Sequence, residues 1–108
     1  NMQNISVIPT KNEITLRVDG GTFFRPGSAD ISKDGEKLLR GLAEILSKSS
    51  YTLTIEGHTD NIPINTERFP SNWELSGVRA TTVLRYLQSK NIDPDRLLAI
   101  GYADTRPI

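Results

Sequence analysis

Apolar and polar residues alternate in two short segments near the start of the chain, over residues 4–8 and residues 13–18. The apolar positions of the second segment are Ile14, Leu16 and Val18. A period of two is typical of strands that bury one face. Residues 9–12 between the two segments are turn formers, so the pattern predicts a leading β-hairpin.

Helical periodicity follows an irregular stretch over residues 22–31. Ser32 has a side chain suited to an N-cap, and apolar residues then recur three or four positions apart. The stripe predicted to be buried consists of Leu38, Leu42, Ile45 and Leu46. Gly41 lies within this helix, where glycine costs about 1 kcal/mol relative to alanine. A close contact between helix and sheet would explain the glycine.

A third strand is predicted over residues 51–56, followed by a loop over residues 62–70 that holds two prolines. The residues expected on one face of this strand are Tyr51, Leu53 and Ile55. Half-buried strands show this alternation, whereas the prolines that follow do not fit a helix or a central strand.

The last third of the chain predicts a long helix and a final strand. Ser71 and Glu74 have the spacing of a capping box, which starts a helix that runs to about Lys90. Its predicted buried stripe is Ala80, Val83, Leu84 and Leu87. Asp93 before a proline predicts one short helical turn, and residues 97–102 then form the last strand.

These elements predict an α/β fold, in the sense of an α+β sandwich. A βαβαβ chain with a leading hairpin forms a mixed sheet, and two main helices pack on one face of it. The length of 108 residues fits one domain over residues 1–108, with residues 1–12 as its leading strand or linker.

Composition narrows the possible functions. Thirteen basic residues balance thirteen acidic ones and are spread over both halves of the chain, which argues against a nucleic-acid partner. The absence of cysteine excludes disulfides, thiolate zinc sites and thiol catalysis. No apolar run approaches the ~18 residues typical of a transmembrane helix, and no signal-peptide pattern is present.

The densest group of ionisable residues is Glu56, His58 and Asp60, with Arg79 further along the chain. Alternation would place the first three on one face if the strand continued that far. In the simplest interpretation they form an exposed polar strand end, with Arg79 as a salt-bridge partner.

A second interpretation is a binding site for a zwitterion. A carboxylate at Asp60 would receive an ammonium group, and the guanidinium of Arg79 would donate two parallel hydrogen bonds to a carboxylate. Strand ends of open α/β sheets favour such sites. The pair therefore suits the head group of a free amino acid.

A third interpretation is enzymatic. Glu56, His58 and Asp60 could bind a metal ion, although three alternating residues of an ideal strand span roughly 13 Å, a long reach for one ion. His58 and Asp60 could instead activate a serine, but the chain has no Gly-x-Ser-x-Gly elbow.

Three aromatic residues have both a structural and a functional interpretation. Trp73 could be a ligand platform, although an anchor for the start of the helix is the preferred role. Phe23 and Phe24 could wall a pocket or fill the core.

Three stretches resemble the central motifs of OmpA-like peptidoglycan-binding domains. They are residues 53–64, which contain Glu-Gly-His-Thr-Asp-Asn-Ile-Pro-Ile, residues 71–80, which read Ser-Asn-Trp-Glu-Leu-Ser-Gly-Val-Arg-Ala, and residues 96–107. Residues 24–29 fit the loop after the family's first core strand. The resemblance covers residues 13–108 and is strongest to the MotB-type branch, the periplasmic domains of flagellar stator proteins.

The resemblance implies a noncatalytic domain that binds peptidoglycan without a metal or cofactor. In that family the Asp of the His-Thr-Asp motif and the Arg of the Leu-Ser-x-x-Arg-Ala motif clamp the free end of meso-diaminopimelate in the stem peptide. The matching positions here are Asp60 and Arg79. Leu75 matches a position that lines the pocket, and Thr59 and Phe24 are expected nearby.

The resemblance also implies partners and a location. The domain would lie in the periplasm as part of a protein anchored in the inner membrane, form a homodimer, and work with a MotA-like membrane subunit through a transmembrane helix outside this chain. No nucleic acid is implied. An open alternative is a dimerisation or scaffold domain of a Pal- or OmpA-type envelope protein with weak or gated wall binding.

Two features depart from the family pattern. The loop over residues 24–28 lacks the acidic residue that Pal-type lipoproteins have there, so we expect few ligand contacts from its side chains. The chain stops at Ile108, where family members continue with a further strand. We expect that strand to be absent from these residues, either because it lies outside this chain or because the fold is trimmed.

Overall fold

Strands and helices alternate along the chain as the hydrophobic pattern predicts. The computed structural model describes residues 5–9, 12–20 and 23–105. Its elements are β1 (Ile5–Pro9), β2 (Glu13–Val18), α1 (Lys33–Ser47), β3 (Thr52–Gly57), α2 (Asn72–Ser89), a 3₁₀ helix (Pro94–Arg96) and β4 (Leu97–Gly101). The predicted turn residues Thr10 and Lys11, the strand residue Asn4 and the motif residues 106–107 lie outside the described residues.

The described strands form one four-stranded sheet in the order β1-β2-β3-β4. β1 pairs antiparallel with β2, which confirms the leading hairpin, and β2, β3 and β4 are parallel neighbours. Parallel crossovers are right-handed in nearly all proteins, and here both move the same way across the sheet. Both helices therefore lie on one face, and the predicted fold class is confirmed.

The core lies between the sheet and the two helices. Buried residues of β2, β3, α1 and α2 pack together as one cluster. It includes Leu16, Val18, Leu53, Ile55, Leu39, Leu46, Val83 and Leu87. The alternation predicted for β2 and β3 is therefore confirmed. Tyr51 is the exception, because it precedes β3 and is 36% exposed. Leu84 of the predicted α2 stripe is only partly buried.

Helix α1 turns a different face to the sheet from the predicted one. Its buried residues are Gly35, Leu39, Ala43 and Leu46. The prediction was wrong for Leu38 and Ile45, which are exposed. The reason is a close contact at Gly35, where an added Cβ would lie 2.9 Å from Cδ1 of the buried Phe23. This contact brings the face with Gly35 and Ala43 against the core.

The explanation predicted for Gly41 is also wrong. Gly41 is exposed, and an added Cβ would meet no atom of the described residues within 4 Å. No packing inside the described part of the domain therefore requires glycine at this position.

The predicted helix caps are confirmed. Ser32 Oγ accepts a hydrogen bond from Gly35 N at 3.0 Å. Ser71 Oγ accepts one from Trp73 N at 3.1 Å and donates to Glu74 Oε1, so Ser71 is the N-cap and the two residues of the predicted capping box contact each other. These caps satisfy N–H groups that have no partner within their own helix.

The start of α2 lies directly on the ends of β3 and β4. An added Cβ at Gly57 would lie 2.0 Å from the Ser76 carbonyl oxygen, and one at Gly101 would lie 2.7 Å from Gly77 N. Ser76 is fully buried, and its Oγ accepts a hydrogen bond from Ala103 N at 2.9 Å. Two glycines thus set the height of α2 above the sheet.

We predict that Gly57→Ala lowers the free energy of unfolding by about 3 kcal/mol or more, because its methyl group would overlap a helix backbone that cannot move away cheaply. Chemical denaturation measures this loss. Gly77→Ala is the matched control, because an added Cβ there meets no described atom within 4 Å. A similar effect of both substitutions would contradict the close contact.

Candidate functional site

The carboxyl ends of β2 and β3 bring two acidic residues to one edge of the sheet. Asp19 directly follows Val18, the last residue of β2, and Asp60 follows β3 by three residues. His58 N donates a hydrogen bond to Val18 O at 2.9 Å, which ties the two strand ends together. Open α/β sheets place ligand sites at this edge.

Arg79 reaches the same edge from α2 and is held firmly. Its Nε donates to Ser28 O at 2.8 Å and its Nη2 donates to Arg25 O at 3.3 Å. The guanidinium carbon lies 5.0 Å from the centroid of the Phe24 ring, and the residue is only 3% exposed. The loop without an acidic residue therefore serves the site through backbone carbonyls that orient Arg79.

Arg79 keeps hydrogen-bonding capacity for a ligand. A guanidinium has five N–H groups, and two of them are used in the two bonds above, which leaves three. No described carboxylate lies within ion-pair distance of Arg79, so the salt-bridge interpretation is wrong for the described side chains. Burial lowers the pKa of Arg79, and the charges of Asp19 and Asp60 oppose this shift.

A cavity of about 500 Å³ lies between these groups. Four of the predicted site residues line it, namely Thr59, Asp60, Leu75 and Arg79. Its apolar wall consists of Pro26, Ile62, Pro63, Ile64 and Leu75. Phe24 does not line the cavity, because it lies buried beside Arg79. The arrangement joins a charged end to an apolar wall.

Asp60 is exposed at the rim of this cavity. Its Oδ1 accepts a hydrogen bond from Ile62 N at 3.1 Å. Asn72 Nδ2 donates to Ile62 O at 3.1 Å, which fastens this turn to the start of α2. Oδ2 of Asp60 has no hydrogen-bond partner among the described residues and is available to a donor.

Asp19 is a member of the site that the sequence interpretation missed. It lines the cavity, and its buried Oδ1 has no hydrogen-bond partner in the described part of the chain. Burial raises the pKa of Asp19, although the charges of Arg79 and His58 oppose the rise. The sequence signal that could have identified Asp19 is its position. It directly follows β2, and β2 pairs with β3, which leads into the His-Thr-Asp motif.

Glu56 and His58 form a separate cluster. Glu56 Oε1 accepts a hydrogen bond from Arg17 Nε at 3.2 Å and lies 3.0 Å from His58 Nε2. His58 is 3% exposed and stacks on Tyr102. β3 ends before His58, so the prediction that these two residues share a face with Asp60 was wrong. Neither residue lines the cavity, and no metal-binding cluster occurs among the described residues.

The three aromatic residues Phe23, Phe24 and Trp73 do not line the cavity. Phe23 and Phe24 are buried in the core. Trp73 is 56% exposed and does not line the cavity, so it is not a ligand platform there, and its role as an anchor for the start of the helix stays a prediction. Leu75 and Ser76 bury the first turns of α2.

A two-layer α/β domain with a charged pocket at its strand ends is the class that this fold and site define. Residues 23–108 match the OmpA family, and the chain belongs to that family. Within the described residues, neither helix is long and apolar enough to cross a membrane.

The relatives include motility and anchoring proteins. The chain is 42% identical to YtxE of Bacillus subtilis, with 88% of this chain and 40% of that protein covered. It is 31% identical to motility protein B of B. subtilis, with 92% and 39% covered. The cell wall anchor of the T6SS from Pseudomonas aeruginosa superposes with a TM-score of 0.84 at 34% identity, covering 98% of this chain and 74% of that one. The chain thus spans about 40% of its first curated relatives.

We predict different effects on stability for the two main charged residues. Asp60→Asn should change the free energy of unfolding by less than about 0.5 kcal/mol, because the residue is exposed. Arg79→Ala should lower it by about 2–4 kcal/mol, because two hydrogen bonds from a charged donor and a cation–π contact are lost. Urea denaturation measures both. Equal effects would contradict the structural role of Arg79.

We predict that Asp19→Asn stabilises the domain at neutral pH. Folding raises the pKa of Asp19, so the stability contributed by its proton is present below the ordinary pKa and is lost as the pH rises through the raised value. Asp19→Asn cannot lose stability in this way, because asparagine does not ionise. The Tm of the variant should therefore exceed that of the unchanged chain by an amount that grows between about pH 4 and pH 7. Asp104→Asn, at an exposed position, is the control. A pH-independent difference in Tm would contradict the prediction.

Proposed function

We propose that this domain binds peptidoglycan through the free amino-acid end of diaminopimelate in the stem peptide. The observation that carries the proposal is the cavity that combines the exposed carboxylate of Asp60 with the partly unsatisfied guanidinium of Arg79. A free amino-acid end carries one ammonium and one carboxylate, which are the complements of these two groups. Membership of the OmpA family supports the proposal.

Each site residue has a distinct role in the proposed complex. Asp60 accepts a hydrogen bond from the ammonium group, and Arg79 donates two to the carboxylate. Leu75 contacts the aliphatic side chain that joins the free amino-acid end of diaminopimelate to the rest of the stem peptide. Thr59 lines the cavity beside Asp60, and Asp19 adds a second negative charge that favours an ammonium over a second carboxylate.

The orientation of Arg79 is prepared before the ligand arrives. Two backbone carbonyls and the Phe24 ring already fix the guanidinium. Binding therefore costs little side-chain entropy at this residue, since the rotamer is not newly immobilised. Affinity for one stem peptide can still be modest, because a polymeric wall offers many sites to a tethered domain.

We infer that the domain is a binding module without catalytic activity. The one histidine is buried against Glu56 and Tyr102, away from the cavity. The relatives' names describe motility proteins and an anchor. These observations favour binding over the enzymatic interpretation.

The relatives also suggest a cellular context. Motility protein B of B. subtilis and a cell wall anchor support a role in holding a membrane assembly to the wall. The role we favour is the wall anchor of an ion-driven flagellar stator, with a periplasmic domain, a homodimeric state and a MotA-like membrane subunit. The scaffold alternative keeps the domain and the location but lacks tight wall binding.

We predict that the domain co-sediments with insoluble purified peptidoglycan that contains diaminopimelate. Asp60→Asn should reduce the pelleted fraction at least tenfold while leaving the fold unchanged, because the residue is exposed. Free meso-diaminopimelate should compete with the wall, and Nα-acetyl-lysine amide should compete far less because it carries an ammonium group but no carboxylate. The pelleted fraction is measured on gels at several protein concentrations.

The control variant is Arg85→Ala, which removes an exposed arginine from the same helix as Arg79. It should pellet like the unchanged chain. Competition by Nα-acetyl-lysine amide as strong as by diaminopimelate would contradict the contact between the ligand carboxylate and Arg79. A chain that stays in the supernatant throughout would favour the scaffold alternative.

A further inference from the structure

Helix α1 exposes an apolar stripe that the fold does not use. Leu38 is 39% exposed and Ile45 is 58% exposed, and the exposed Gly41 lies between them. Residues at these spacings lie on one helix face. The neighbouring face, with Leu39 and Leu46, is buried in the core.

Gly41 has no packing role inside the described part of the domain. An added Cβ would meet no described atom within 4 Å, yet glycine in a helix interior is less stable than alanine. A glycine at the centre of an exposed stripe allows a second helix backbone to approach closely. The position therefore makes physical sense in a contact between helices.

The charged residues around this stripe are complementary to those of a second copy of the helix that runs in the opposite direction. Asp34 lies seven residues before Gly41 and Lys48 lies seven residues after it. Lys37 lies four residues before Gly41 and Glu44 lies three residues after it. A two-fold axis through Gly41 therefore brings opposite charges together when a second copy of the helix runs in the opposite direction.

The same axis matches the apolar residues. Leu38 lies three residues before Gly41 and Ile45 lies four residues after it. In an antiparallel pair, Leu38 of one copy therefore lies close to Ile45 of the other copy. An interface around a two-fold axis uses the same patch on both copies and must be complementary to itself. A parallel pair would instead oppose Asp34 to Asp34 and Lys48 to Lys48.

We propose that the stripe of Leu38, Gly41 and Ile45 is a self-association surface, on which α1 packs antiparallel against α1 of a second copy. A single helix pair is smaller than a standard protein interface, so association in free solution is weak. It becomes effective when two copies are held close together, because tethering raises the effective concentration. None of these residues lines the cavity, so the proposal stands apart from wall binding.

Single cysteines test the register, because the chain has no cysteine of its own. Gly41→Cys places a thiol on the proposed axis, where two chains are close enough for a disulfide. Lys48→Cys places it seven residues away, so the paired thiols lie about 21 Å apart in the antiparallel pair at 1.5 Å per residue. Gln88→Cys, exposed on α2, is the control for random collisions.

Under mild oxidation we expect Gly41→Cys to form covalent dimers at least tenfold faster than the other two variants. Fast cross-linking of both Gly41→Cys and Lys48→Cys would overturn the antiparallel arrangement. Equal slow rates for all three variants would overturn self-association through α1 and leave the stripe to another partner.

A second measurement separates the contact from folding. Gly41→Ala should raise Tm by a few degrees, yet it should weaken self-association in sedimentation equilibrium at least fivefold. Gly77→Ala, the other helical glycine with open space around it, should leave self-association unchanged. Unchanged or tighter self-association of Gly41→Ala would overturn the close approach.

Charge reversal tests the pairing itself. Asp34→Lys should weaken self-association several-fold, since it opposes two lysines, and the added change Lys48→Asp should restore it. Failure of the double variant to recover would overturn the proposed register. Wall pelleting of these variants is a separate readout, so loss of self-association and loss of wall binding can be told apart.

Discussion

The close contact of α2 with two strand ends is the constraint on which the site depends. Gly57 and Gly101 let the backbone of Ser76 and Gly77 lie directly on the sheet. Arg79 follows Ser76 by three residues, about one helical turn. Its guanidinium therefore reaches the carboxyl edge of the sheet at a fixed height. Any side chain larger than hydrogen at the strand ends would raise the helix and move the guanidinium with it.

The site combines a guanidinium that keeps three unused N–H groups with two carboxylates that each keep one oxygen without a hydrogen-bond partner among the described residues. Arg79 is stabilised by carbonyls and an aromatic ring rather than by an acidic partner. Asp19 lies close enough to Arg79 for the two charges to interact, but its buried Oδ1 has no hydrogen-bond partner among the described residues. An internal salt bridge would occupy the guanidinium and block the cavity. The observed arrangement gives up some stability and leaves both charges available to a zwitterion, which is a common compromise at binding sites.

Local signals were enough to predict the strands, the caps and the two helices. Alternation identified β2 and β3, and Ser71 with Glu74 identified the start of α2. The buried face of α1 was not predictable, since apolar residues at neighbouring positions such as Leu38 and Leu39 form two overlapping stripes. Only the contact of Gly35 with the distant Phe23 decides between them. That contact joins segments that sequence periodicity treats separately.

The site was predicted in part for the same reason. Family motifs mark Asp60 and Arg79, and both line the cavity. Asp19 belongs to no motif and joins them only because β2 and β3 are parallel neighbours whose ends coincide. The point at which β3 ends then separates His58 from Asp60, although alternation would join them. Residues that depend on which strand lies next to which are thus the ones that sequence interpretation misses.

Location also governs how the two proposed surfaces would act together. The cavity lies at the carboxyl edge of the sheet, and the exposed stripe lies on the outer face of α1. Pairing through α1 would therefore leave both cavities open. A wall-bound copy would raise the effective concentration of its neighbour, and a paired copy would raise that of its partner at the wall. Since coupling between two binding events is reciprocal, two weak contacts in one domain could hold firmly only where wall and partner are both present.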